Sequence, residues 1–173
     1  MELMKAITKR KSVRAYKPEQ IPDDILDTIL CAGSLAPVGM GQYDSMHFTV
    51  IQDKDILSKI SLFVQQMMKR EGDALYGLQT LVLVSSKEQP GPGIDYVNAG
   101  GMLENIALAA TEQEIGSVII WGSALAVEAD QDLKQALSIP DGFHAVAGIG
   151  LGYAQNPNSV EKEMTNKIST NRV

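Results

Sequence analysis

The sequence is poor in the residues on which most catalytic machinery rests: one cysteine and two histidines in 173 residues. A single cysteine, Cys31, excludes an intrachain disulfide. Its apolar neighbours Ile29, Leu30 and Ala32 give it the reading of a buried, inert thiol, because free cysteine behaves as a small hydrophobe. A reactive thiol needs a base or cation beside it, and the adjoining sequence offers none. His47 and His144 both sit in apolar, strand-like surroundings without H-x-x-x-H or C-x-x-C spacing. They read as structural, and a metal centre is not expected. The G-x-S-x-G elbow and the G-x-x-x-x-G-K-[ST] phosphate loop are both missing. No apolar run is long enough to span a bilayer. Residues 1–5 lack the apolar core of a signal peptide, so a cytoplasmic chain without a membrane partner is expected.

Basic character is also lacking overall. Fifteen basic against 21 acidic residues give a net charge of −6, which removes the global positive footprint of a nucleic-acid binder. The cations are unevenly placed, however. Lys5, Lys9, Arg10, Lys11, Arg14 and Lys17 crowd the first seventeen positions. A local positive cluster in an acidic protein suits a small anion such as phosphate; a solvated helix face is the plainer alternative.

What is present reads as one domain of alternating helices and strands, long enough for a real core. Apolar spacing predicts a short helix over 2–9, then a second that starts at Ile21-Pro22-Asp23-Asp24 and stops by Ala36-Pro37. A glycine-rich loop follows, then a strand over 47–51. Asp53 is placed to cap a third helix carrying Ile56, Leu57, Ile60, Val64, Met67 and Met68. Residues 80–84 form a continuous apolar run, the mark of a buried strand. The longest helix is expected over 95–114, with Gly100-Gly101 inside it marking close approach of another backbone. A short strand over 117–120, a helix over 128–137 and a last strand over 143–151 complete the pattern. Helix-linked strands favour a layered α/β or α+β sheet. Gly148-Ile149-Gly150-Leu151-Gly152 invites a dinucleotide-binding reading, but Tyr153-Ala154-Gln155-Asn156-Pro157 is no helix start. These glycines instead let a strand pack closely against something.

The most informative segment is Arg10-Lys11-Ser12-Val13-Arg14, where cations and a hydroxyl meet at a helix-to-loop junction. Arginine grips phosphate oxygens through paired, charge-assisted hydrogen bonds, and serine adds a neutral one. The terminal phosphate of a mononucleotide fits that arrangement.

With its companions in order, this segment resembles the opening R-R-S-x-R motif of the nitroreductase family, especially its short members. Ala36-Pro37-Val38-Gly39-Met40-Gly41-Gln42 stands where the family has A-P-S and its loop. Residues 105–117 match the end of the central helix, and 137–142 followed by 146–153 match the proline-plus-final-strand signature. The resemblance implies an α+β, three-layer fold over residues 1–173, with a mixed, mainly antiparallel sheet flanked by helices. It also implies an intertwined homodimer and FMN at the subunit interface. Arg10, Lys11, Ser12 and Arg14 would hold phosphate and ribityl groups, some reaching the pyrimidine edge. Pro37, Val38, Gly39 and Gly41 would approach the flavin from the partner subunit. Trp121 and Gly122 would lie near the ring, with backbone N–H aimed at its reactive nitrogen. Lys167, or second to it Arg172, would complete the phosphate site, and Asn98 is a further candidate for the pyrimidine. The implied activity is NAD(P)H-dependent, two-electron reduction of a nitroaromatic, quinone or similar small acceptor in a ping-pong cycle. Rivals are a flavin reductase or an enone or dehalogenating reductase on the same fold, a non-catalytic flavin-binding protein, and a dimeric scaffold that binds no flavin. The chain departs from the family at Val38, where serine is usual, and over Gly41-Gln42-Tyr43-Asp44-Ser45-Met46, which lacks the Asn-x-Gln-Pro-Trp sequence.

Overall fold

The computed structural model describes residues 1–157 and 160–173. In chain order the elements are α1 (Leu3–Lys9), α2 (Asp23–Ser34), β1 (Met46–Ile51), α3 (Lys54–Met68), β2 (Thr80–Lys87), α4 (Ile94–Glu112), β3 (Gly116–Ile119), α5 (Trp121–Ala129), α6 (Gln131–Ala136) and β4 (Phe143–Gly152), with two short 3₁₀ turns at Gly39–Gly41 and Tyr43–Ser45. The four strands form one sheet in the order β1-β2-β4-β3, and every neighbouring pair is antiparallel. The expected parallel component is reduced to an isolated bridge between Ser12 and Ser117.

Alternation along β2 divides the core into two layers. Leu81 and Leu83 pack with α3, α5 and α6, whereas Val82 and Val84 pack with α2 and α4. All four are fully buried, which is why the run reads as continuously apolar. The result is three layers: helices, sheet, helices.

Local chemistry sets the helix ends. Asp53 caps α3 as expected, its carboxylate accepting from the N–H groups of Asp55 and Ile56 at 3.0 and 2.9 Å. Asp130 caps α6 through Leu133 N–H at 3.0 Å. The single helix expected over 128–137 is therefore two, broken at Asp130. Helix α5 was not foreseen because Gly122, Ser123, Ala124, Ala126 and Val127 are all buried, leaving no polar face to reveal a helical period.

The glycines of β4 do what their spacing suggests. A Cβ at Gly148 would collide with Ser123 of α5. One at Gly150 would collide with Leu78, and one at Gly152 would lie 2.9 Å from Tyr16. Three separate segments thus seat directly on bare backbone along one face of one strand.

Two expectations fail. Cys31 is exposed, because α2 buries the stripe Leu26, Ile29 and Gly33 and Cys31 falls outside it. A Cβ at Gly100 would meet nothing within 4 Å and one at Gly101 only the Cβ of Ala36 at 3.8 Å, so among the described residues no other backbone approaches them. Among the described residues no helix is long and apolar enough to cross a membrane.

Gly148→Ala should cost about 1–3 kcal/mol, the usual range for overpacking a filled core. Ser123 cannot yield freely, since its hydroxyl donates to the Ile120 carbonyl at 2.6 Å. Urea unfolding checks this: a midpoint equal to wild type would mean that α5 does not need the bare strand.

Candidate functional site

Three segments meet along the outer, β3 side of the sheet. The first is the basic stretch after α1. It is held to β3 by Val13 N–H donating to the Ser117 carbonyl at 2.9 Å, with the Val13 side chain against Gly116. Its extended backbone alternates faces. Val13 is buried, whereas Ser12 and Arg14 are exposed and Arg10 is half-buried. Lys11 parts from them. With Lys9, Lys17, Glu114 and Tyr153 it lines a separate cleft of about 560 Å³.

The second segment is the exit of β3 into α5. Ile119 and Trp121 are 49% and 54% exposed, a large apolar area beside the start of a helix. The first backbone N–H groups of a helix have no intrahelical acceptor, and in α5 these belong to Trp121 and Gly122, with no side-chain cap from Ile120. Gly122 itself is buried. A Cβ there would sit 3.1 to 3.3 Å from Met67 and Val64, so the glycine serves the close contact between α5 and α3.

The third segment runs from the end of α3 to β2. Lys69 is left-handed (φ 49°) and closes α3, after which Arg70 donates to the Tyr76 phenol oxygen at 2.7 Å. Its guanidinium also lies 4.6 Å from the ring centroid. Arg14 lies close enough to act on the same phenol. Burial opposes ionisation of Tyr76, but the hydrogen bonds and charges of the two arginines outweigh it and hold the phenol below the ordinary tyrosine range. Tyr16, behind it, is pushed up by burial and by Tyr76, against Arg14, and its hydroxyl has no partner. Asp73 shapes this loop, accepting from Ser61, Leu75 N–H and Gly77 N–H at 2.5, 2.9 and 2.5 Å.

The tail adds a cation at the far end of the basic stretch. Lys162 N–H donates to the Thr8 carbonyl and its ammonium to the Ile7 carbonyl, each at 3.0 Å. Burial holds Lys162 below the ordinary lysine range. The charges of Arg10 and Lys167 push the same way, against the pull of Glu104. Among the described residues no carboxylate ion-pairs with Arg10, Arg14 or Arg70. Crowded cations without a carboxylate counter-ion are the chemistry of an anion site.

The nitroreductase family profile matches residues 7–153. The chain belongs to the nitroreductase family. An Archaeoglobus fulgidus protein assigned as an NADH dehydrogenase/NAD(P)H nitroreductase is 32% identical over 90% of this chain and 87% of its own. A Bacteroides fragilis nitroreductase solved with bound FMN is 28% identical, with a TM-score of 0.81 over 100% of this chain and 98% of that one. A Desulfitobacterium hafniense nitroreductase, also with bound FMN, shares the fold at a TM-score of 0.83 and 24% identity, covering 99% of this chain and 100% of that one. The expected family and α+β fold hold, and with them membership of a family of oxidoreductases.

Within this nitroreductase fold the other expected residues are scattered. The loop of Pro37, Val38, Gly39 and Gly41 lies on the opposite, α2/α4 side. Val38 is buried in that core layer, which explains an apolar residue where the family has serine. Gly39 N–H donates to Asn98 Oδ1 at 3.0 Å, and Met40 and Gly41 turn with φ of 55° and 68°. Asn98 is buried, and its side-chain oxygen anchors that loop. His144 binds Asp95 at 3.1 Å, in keeping with a structural role. Of the tail cations, Lys162 rather than Lys167 touches α1, with Lys167 close enough for its charge to be felt. Arg172 is exposed at the chain end. Sequence reasoning missed Lys162, Arg70 and Tyr76. Lys162 sits between Glu161 and Glu163 and looks solvated, and Lys69-Arg70-Glu71-Gly72 looks like any helix end.

An alkaline absorbance titration should show Tyr76 ionising below the ordinary tyrosine range and Tyr16 above it. Arg70→Gln should return Tyr76 to the ordinary range. An unchanged early step in that variant would dissolve the assignment.

Proposed function

We propose that the whole chain is a single FMN-binding domain, working in the cytoplasm as a homodimer that reduces a nitroaromatic, quinone or similar small acceptor with electrons from NAD(P)H. The observation that supports this best is that Arg10 and Ser12, with Lys162 and Lys167 close enough to Arg10 for their charges to be felt, run beside β3, whose exit carries the exposed Ile119 and Trp121. The donors fit the cofactor. A phosphate would relieve the repulsion among Arg10, Lys162 and Lys167, and the open N–H groups at the start of α5 suit an electron-rich ring nitrogen. Bound FMN supplies the two-electron chemistry when it is present. The chain's own part is to grip the phosphate, offer an apolar floor at Ile119 and Trp121, and keep a hydrogen-bond donor at the ring. No triad or metal is called for, in keeping with a sequence so short of histidine and cysteine.

A second copy completes the reading. Leu3, Met4, Tyr96 and Val97 are exposed by 53–76% on α1 and α4, beside the open Gly100. Val160, Met164 and Ile168 are exposed along an extended tail. Apolar surface of this extent marks a contact surface. The Pro37–Gly41 loop, remote from the basic stretch within one chain, reaches the flavin only from a partner.

Purified protein mixed with FMN and freed of excess should keep flavin absorbance at about one per chain, and colourless protein would overturn the reading. Arg10→Ala should weaken FMN binding by about tenfold or more, since charged hydrogen bonds are worth ~1.5–3 kcal/mol; unchanged affinity would remove the phosphate assignment. Light scattering should give about twice the 18.7 kDa chain mass, where a single-chain mass would leave the 37–41 loop without a role. Steady NAD(P)H oxidation with an added acceptor, above the free-FMN rate, separates the enzyme from a flavin-storage protein.

A further inference from the structure

We infer that the cleft lined by Lys9, Lys11 and Lys17 is a second binding site, independent of the FMN reading, and that it takes a nucleoside monophosphate.

Backbone pairing builds this cleft. Lys9 ends α1, and Lys11 follows in the extended stretch. Lys17 closes that stretch, its N–H donating to the Tyr153 carbonyl at 2.9 Å. The stretch is fastened to β3 by Val13 N–H on the Ser117 carbonyl, and to the exit of β4 by Gln155 N–H on the Ala15 carbonyl, each at 2.9 Å. A further wall is the end of α4. There Glu114 turns left-handed (φ 59°), and Ile115 N–H donates back to the Ala110 carbonyl at 2.8 Å. These segments are anchored to the sheet or to a helix, so the cleft is part of the fold and not a gap beside a loose loop. Its volume of about 560 Å³ lies within the ~300–1,000 Å³ usual for small-ligand pockets. It is also distinct from the proposed cofactor site. Successive side chains of an extended chain face opposite ways; Lys11 and Val13 line the cleft, whereas Arg10, Ser12 and Arg14 do not.

The lining names the ligand class. Three lysines stand against one carboxylate, Glu114, in a chain of net charge −6. Neither Lys9 nor Lys17 ion-pairs with a carboxylate among the described residues. Positive charge gathered in a concavity of an acidic protein attracts anions, and lysine serves phosphate as a point charge. Lysines alone would suit any phosphate, and the remaining residues narrow the choice. Val13 and Ile115 are buried hydrophobics, and with Tyr153 they give the cleft an apolar part and an aromatic ring, on which a planar base can stack. Thr111, Gln113 and Glu114 bring a hydroxyl, an amide and a carboxylate, groups that hydrogen-bond sugar hydroxyls. Cations, neutral polar groups and an apolar part match phosphate, sugar and base in turn.

Calorimetric titration of the purified protein with AMP, adenosine and inorganic phosphate tests this. AMP should bind saturably at one per chain, with adenosine and phosphate each at least about tenfold weaker, since each lacks part of the contacts. Lys9→Gln and Lys17→Gln should each weaken AMP about tenfold, the usual order for one charged hydrogen bond, while Arg10→Ala should leave it within about threefold. Far-UV circular dichroism matching wild type checks that the variants fold; Lys17 is exposed, so its variant keeps the comparison intact if Lys9→Gln does not. Weaker AMP binding in Arg10→Ala alongside unchanged lysine variants places the nucleotide in the proposed cofactor site and overturns the inference. Phosphate bound as tightly as AMP also overturns it, because the cleft would then hold an anion and no nucleoside. Without saturable AMP binding the lysines merely offset the negative end of α4, and the inference falls.

Discussion

The bare face of β4 is the constraint from which the site follows. At Gly148, Gly150 and Gly152 the strand has no side chains, and each gap seats a segment packed against it. Ser123 of α5 rests on the first, Leu78 of the loop carrying Tyr76 on the second, and Tyr16 of the basic stretch on the third. The segments are fixed relative to one another because they share one rigid strand in the middle of a buried sheet. Side chains at these positions would push all three outward. A flexible loop offers no such common reference, and sites built on packed elements hold geometry better than sites built on loops.

Electrostatics then decides what the site takes. The protein is acidic overall, yet Arg10, Arg14, Arg70, Lys162 and Lys167 are drawn to one side of it. Lys162 is held below the ordinary lysine range by burial first and by Arg10 and Lys167 in addition, against the pull of Glu104. Structure that works against its own charges in this way is stabilised by binding the opposite charge, and any ligand that binds the native state alone stabilises it by mass action. On the proposed reading, cofactor binding and folding stability would be coupled through the same few side chains.

Much of this was legible in the sequence. The basic stretch at 10–14, the apolar strands and the close-packing role of the late glycines could all be read from periodicity and charge placement, and the family from their order. What stayed hidden depended on contacts between distant segments. Val38 and Asn98 look like loop and helix-surface residues until the fold buries them against each other's elements. Helix α5 lacks a polar face and so lacks a period. Cys31 has apolar neighbours in sequence, but the buried stripe of α2 passes it by. Lys162 lies far along the chain from Thr8, and nothing in a polar tail marks which cation returns to the first helix. Gly100 departs from the usual inference, since a Cβ there would meet nothing within 4 Å.

The account turns on the cations being assembled to receive an anionic cofactor. The direct measure is the ionisation of Lys162, followed by NMR at its ammonium nitrogen in the free protein and with FMN bound. Below the ordinary lysine range without ligand, it should rise when the phosphate arrives, because a nearby negative charge favours the charged amine. A Lys162 that titrates identically in both states, with FMN demonstrably bound, would place the phosphate elsewhere and contradict the assembly described here.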